Sequence, residues 1–123
     1  MGKIEKFEDI VAWQKARVLV REVYRVCSVE NYKKDYNLID QTRRSAISIM
    51  ANIAEGFARR TNKEFINFLG MAHASAAELQ SHLYVALDQN YISKEDFNVL
   101  YNGTEEISKM IQGFANYLRN SNS

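Results

Sequence analysis

The sequence predicts an all-α fold, an antiparallel up-down-up-down four-helix bundle. Three observations carry that prediction. Proline is absent and only five glycines occur in 123 residues, whereas strands and their tight turns lean on both. Apolar residues recur at three- and four-residue steps along four segments, about 7–27, 36–56, 62–89 and 94–119, the spacing of one helical face. Short connectors separate the segments, which sets consecutive helices antiparallel. Residues 1–123 read as one domain: a chain of this size buries roughly two-thirds of the surface it exposes when unfolded, and it is too short for two cores.

The first helix, about 7–27, places Trp13, Ala16, Val20, Val23 and Cys27 on one face and Arg17, Arg21 and Arg25 on a second. A polar connector, SVENYKKD, follows, and its Asp35 is an N-cap for the second helix. That helix is expected to stop at Gly56, because glycine accepts the left-handed conformation common just past a helix end. Thr61 with Glu64 has the capping-box spacing for the third helix. Its core row is Phe65, Leu69, Ala72, Ala76, Leu79, Leu83 and Leu87, and roughly opposite runs a row of small residues, Gly70, Ala74, Ala77 and Ser81. Asn90 and Tyr91 break the pattern, and Ser93 with Asp96 opens the fourth helix. There Phe97, Leu100, Thr104, Ile107, Ile111, Phe114 and Leu118 keep an unbroken 3-4 alternation suited to shallow bundle packing. Gly103 and Gly113 each cost about 1 kcal/mol inside that helix, which the close approach of a neighbouring backbone would offset. The tail, RNSNS, is expected to fray.

Composition narrows the function. Sixteen basic and fifteen acidic residues leave a net charge of +1, no global reason to bind nucleic acid or an anionic membrane. No apolar run approaches the ~20 residues of a membrane span. The amino terminus has no signal-peptide pattern, and Lys6 stands where an acylation motif at Gly2 wants Ser or Thr. The single Cys27 excludes an internal disulfide and fits a reducing, cytoplasmic setting. No phosphate loop, nucleophile elbow or zinc spacing is present. The two histidines, His73 and His82, lie nine residues apart on one helix, and Glu78 with His82 is the nearest approach to a carboxylate-bundle metal motif, occurring once where two are needed. The reading is a non-enzyme with no catalytic residues, no cofactor and no metal.

The stretch QTRRSAISIMANIAEGF holds the most information. Its core side is Thr42, Ala46, Ile49 and Ile53, while Gln41, Arg44, Ser48, Asn52 and Glu55 form a polar row with few charges. Asn and Ser bring no helix-forming advantage to a solvent face, so the row reads as a contact surface. Together with Gly70, Ala74, Ala77 and Ser81 it marks where subunits of a homo-oligomer, or another partner, would meet. The alternative is RNA or DNA binding through the clustered cations Arg43, Arg44, Arg59, Arg60 and Lys63.

FEDIVAWQKA, QTRRSAISIMANIAEG, EFINFLGMAHASAAEL and the YIS before the last helix resemble, in order and spacing, the bacterial four-helix bundle proteins known as 23S rRNA intervening-sequence proteins. The resemblance covers nearly the whole chain, and ISIxANIAEG is its most specific part. Met50 stands where members of that family typically have proline. What the resemblance implies is a left-handed bundle that assembles as a ring, a homopentamer, with no catalytic residues to carry over. It also implies a relationship to the accessory variability proteins of diversity-generating retroelements, and through them a nucleic-acid role. The function expected is therefore an oligomeric assembly or interaction module, its partners itself and RNA or another protein.

Overall fold

The computed structural model describes residues 3–121; Gly2 and the last two residues of the tail, Asn122 and Ser123, lie outside the described residues. Four helices, α1 (Val11–Cys27), α2 (Tyr36–Phe57), α3 (Asn62–Asp88) and α4 (Lys94–Arg119), make up nearly all of it, with 3-10 turns at Phe7–Asp9 and Tyr32–Lys34 and no strand among the described residues. Each helix packs on its chain neighbours, and α1 closes against α4. Side-chain pairs fix the directions. Ser48 meets Ser75 and Gly56 lies against Phe65 across α2 and α3, Gln80 meets Glu105 and Asn62 meets Leu118 across α3 and α4, and Lys15 and Arg25 reach Glu106 and Asp96 across α1 and α4. Neighbouring helices therefore run antiparallel. The seam of α2 with α3 is the most extensive and that of α1 with α4 the sparsest.

The first helix begins later than its periodicity predicts. Asp9 accepts the backbone N–H groups of Glu5 and Lys6 at 3.0 and 3.2 Å, and Ile10 is extended, so residues 7–9 form a separate turn. Phe7 then folds back edge-on to Trp13, ring centroids 5.0 Å apart. The buried face of α1 is Ala12, Ala16, Leu19, Val23, Val26 and Cys27. Trp13 and Val20, expected at its centre, are only partly buried.

The other caps follow the sequence. Asp35 accepts from Leu38 N–H, Thr61 from Glu64 N–H and Ser93 from Asp96 N–H; each such cap contributes about 1 kcal/mol. Helix α3 ends in a Schellman motif: Asn90 takes φ 61°, its N–H reaches Leu87 O, and Tyr91 N–H reaches Ala86 O.

Gly56 does not stop α2, contrary to the sequence expectation. It lies inside the helix, buried, where an added Cβ would fall 2.7 Å from Phe65 Cδ1 and 2.8 Å from Phe68 Cβ. The glycine serves the close approach of α2 to α3. Gly103 and Gly113 show the reverse: an added Cβ would meet nothing within 4 Å at either, so no neighbouring backbone of this chain explains them.

The core is a column of aliphatic side chains, with Val23, Ile49, Ile53, Leu69, Leu79, Leu83, Leu100, Ile107 and Ile111 essentially sealed from solvent. Each contributes roughly 1.5–3 kcal/mol on burial. Thr42 and Thr104 are buried with them, their hydroxyls donating to Leu38 O and Leu100 O one turn back, each at 2.7 Å, so neither leaves an unmet donor in the core. Helix α2 runs unbroken through Met50, whose side chain packs against the core.

Candidate interaction surfaces

The polar row of α2 divides in two. Its middle turns toward α3: Asn52 Nδ2 donates to Ser48 O and Ser48 Oγ, both at 2.9 Å, and Ser75 Oγ donates to Ser48 Oγ at 2.9 Å. Ser48 and Asn52 are half-buried in the α2–α3 seam, so the hydrogen bonds expected to reach a partner are made largely within the chain. Small polar side chains suit that seam for the same reason as Gly56, since bulkier ones would hold the helices apart. The rest of the row is exposed and satisfied locally: Gln41 donates to Asn37 Oδ1, and Arg44 donates to Asp40 at 2.9 Å. Glu55 is exposed and stands outside every ion pair among the described residues.

The small-residue row of α3 lies where the sequence places it. Gly70, Ala74, Ala77 and Ser81 are all exposed, opposite the buried row Phe65, Leu69, Ala72, Ala76, Leu79 and Leu83. Met71, on the same outer side, is 52% exposed. Along the middle of α3 this outer side is free of charge, with Lys63 at its N-terminal end and Glu78 and Asp88 in its C-terminal half.

The clustered cations do not form one surface. Arg43 is drawn inward: it is half-buried, its guanidinium lies 4.6 Å over the Tyr24 ring, and its Nε is buried without a partner. Arg44 is held by Asp40, and Arg59 lies 4.6 Å over the Phe68 ring. Arg60 and Lys63 are exposed at the α2–α3 corner without an ion pair among the described residues. Arg44 alone of the five is held by a carboxylate among the described residues, and Arg43 is turned away from the others toward α1.

A polar knot that the periodicity did not reveal sits at the opposite end. Tyr32, in the connector read as merely polar, is fully buried; its hydroxyl bonds Thr42 Oγ1 at 3.1 Å. Its ring stacks on Tyr91, whose hydroxyl donates to Asp35 Oδ2 at 3.1 Å. Burial raises the affinity of the Tyr32 hydroxyl for its proton, and the Asp35 hydrogen bond does the same for Tyr91. Beside Tyr32 the Cys27 thiol is buried and free, its pKa raised by burial. A tyrosine following Asn in a charged loop is a weak signal, visible only as the one aromatic there.

At the other end an open groove of about 930 Å³ runs between the N-terminal segment and α4, with Ile4, Ile10, Val11, Met110, Phe114 and Tyr117 in its apolar lining. His82, mostly buried, points Nε2 toward Glu78 Oε2 at 3.6 Å. No group of three or more metal-ligating side chains occurs among the described residues, and no described helix is long and apolar enough to cross a membrane.

Comparison with known proteins adds two findings. The family model described as 23S rRNA-intervening sequence protein matches residues 8–113. A crystal structure from Bacteroides thetaiotaomicron, of a protein with unknown function from the S23 ribosomal protein family, superposes with a TM-score of 0.77 at 28% identity, over 85% of this chain and 97% of that one. No curated protein matches the chain.

Proposed function

We propose that this chain, which belongs to the 23S rRNA-intervening sequence protein family, is a non-enzymatic, self-associating bundle that works in the cytoplasm as an assembly or interaction module. The single observation that carries the reading is the outer face of α3. Gly70, Ala74, Ala77 and Ser81 form an exposed row, and a Cβ added at Gly70 would meet nothing within 4 Å. Rows of this kind let a second helix approach closely and pack over a wide area. Exposed Met71 beside the row supplies a flexible apolar contact. In this reading the contact is heterologous, one subunit's α3 face against a different surface of the next, so that the assembly closes as a ring, and the ring is a homopentamer.

Light scattering on the purified chain at micromolar concentration tests it. A pentamer mass is expected, and Ala74→Glu, which places a charge in the row, shifts the mass to that of a monomer while the helical circular dichroism persists. A monomeric wild-type chain would remove the proposal.

A second reading draws on the α2–α3 corner. Arg60 and Lys63 are uncommitted there, and ring symmetry would multiply a weak nucleic-acid patch by avidity. Binding of an rRNA fragment that weakens steeply with salt and is lost in Arg60→Gln with Lys63→Gln would favour it.

A further inference from the structure

The groove between α1 and α2 has a chemistry separate from the α3 face. Arg17, Arg21 and Tyr24 stand at i, i+4 and i+7 on α1 and share one side of it. Tyr36, Asp40, Arg43, Ile47 and Met50 repeat at three- and four-residue steps along one side of α2. The Arg43 guanidinium over the Tyr24 ring, at 4.6 Å, joins the two rows into opposite walls of one groove. Tyr24, Tyr36 and Ile47 are 42, 80 and 40% exposed, and Arg17 and Arg21 are exposed beside them.

The charges of this groove are one-sided. Arg17, Arg21 and Arg43 make no ion pair among the described residues. The one carboxylate on either row, Asp40, is taken by Arg44 at 2.9 Å. Nearby Glu22 is taken by Arg25 at 3.1 Å, and Asp35 accepts from Tyr91 and from Leu38 N–H. Arg43 is the decisive residue. It is a half-buried cation held between the Tyr24 ring and the buried Cys27 thiol, and no carboxylate among the described residues pairs with it. A carboxylate can answer a guanidinium with paired hydrogen bonds.

We propose that the α1–α2 groove is a docking site for an acidic amphipathic helix of a partner protein, its carboxylates on Arg17, Arg21 and Arg43 and its apolar stripe on Tyr24, Ile47 and Met50. A groove between two helices takes a third helix along its length. Three guanidinia among exposed apolar side chains fit carboxylates better than a phosphate backbone, whose affinity comes from neutralising many charges along an extended surface.

The test uses the full chain and a labelled peptide of about 18 residues with a leucine stripe flanked by glutamates, beside the same peptide with glutamine at every glutamate. Fluorescence anisotropy should show the glutamate peptide binding about tenfold tighter than the glutamine one. Arg43→Gln and Arg21→Gln should each weaken it severalfold, the latter from an exposed position that leaves folding untouched. Ala74→Glu, on the α3 face, should leave peptide binding intact whether or not it alters assembly. Equal binding of the two peptides, no binding of the glutamate peptide, or wild-type affinity in both arginine variants would overturn the proposal. So would a single-stranded RNA that binds more tightly than the peptide and displaces it.

Discussion

Tyr32 and Tyr91 stack with their ring centroids 5.3 Å apart and their planes 20° from parallel. One belongs to the connector after α1 and the other to the connector after α3, so this contact ties together the two loops at one end of the bundle. Asp35 reinforces it by capping α2 with one oxygen and accepting the Tyr91 hydroxyl with the other.

Tyr32→Phe keeps the stack and removes the hydroxyl bonded to Thr42. A loss of about 1 kcal/mol at neutral pH is expected, since Thr42 still donates to Leu38 O. The folded chain holds the Tyr32 proton more tightly than the unfolded chain does. Its contribution is therefore complete below the ordinary tyrosine range near pH 10 and is lost as pH rises beyond it. Urea unfolding across that range should show a shallower alkaline decline in Tyr32→Phe than in the wild type. Tyr91, raised in the same direction, keeps some decline in place. Parallel curves for the two proteins would exclude Tyr32 as its source.

Gly56→Ala should destabilise the chain by about 1–3 kcal/mol, although alanine is the better helix former. The added methyl falls within 2.8 Å of both Phe65 and Phe68, and one of those contacts is the Phe68 Cβ, which moves only with the backbone. A thermal melt that rises instead of falling would show that the α2–α3 seam relaxes at little cost.

Asn90→Gly should stabilise by a few tenths of a kcal/mol, and Asn90→Val should cost about 1–2 kcal/mol, because φ is 61° there and a β-branched residue resists the left-handed region. Denaturant midpoints for the pair give a direct reading. The same sign for both substitutions would contradict the Schellman geometry.

Gly103→Ala and Gly113→Ala should each raise the stability of the isolated chain by about 1 kcal/mol, since neither added methyl meets anything within 4 Å. Should the same substitutions lower the mass measured by light scattering, the α1–α4 side is a contact surface of the assembly. An unchanged mass would leave the two glycines without a packing role.

The helices, three of the four caps' chemistries and the core rows of α3 and α4 were legible because burial periodicity and capping are local properties. What escaped the sequence depends on which neighbour a flank meets. Ser48 and Asn52 lie at the edge of the buried arc of α2, and periodicity does not say whether such an edge faces α3 or a partner; only the Ser75 hydrogen bond decides. Gly56 reads equally well as a helix end or a close contact until the position of Phe65 is known. Arg43 looked like its neighbour Arg44, yet 100° of helical rotation carries it over Tyr24 while Arg44 stays in water with Asp40.

Cys27 is the only thiol in the chain, and it is sealed in the core beside Tyr32 with its pKa raised by burial. A reagent that modifies thiolates reaches it only when the end of the bundle opens. The rate of its labelling thus serves as an intrinsic clock for that opening, with no engineered probe. In Tyr32→Phe the clock should run faster, and an acidic helix seated in the α1–α2 groove should slow it.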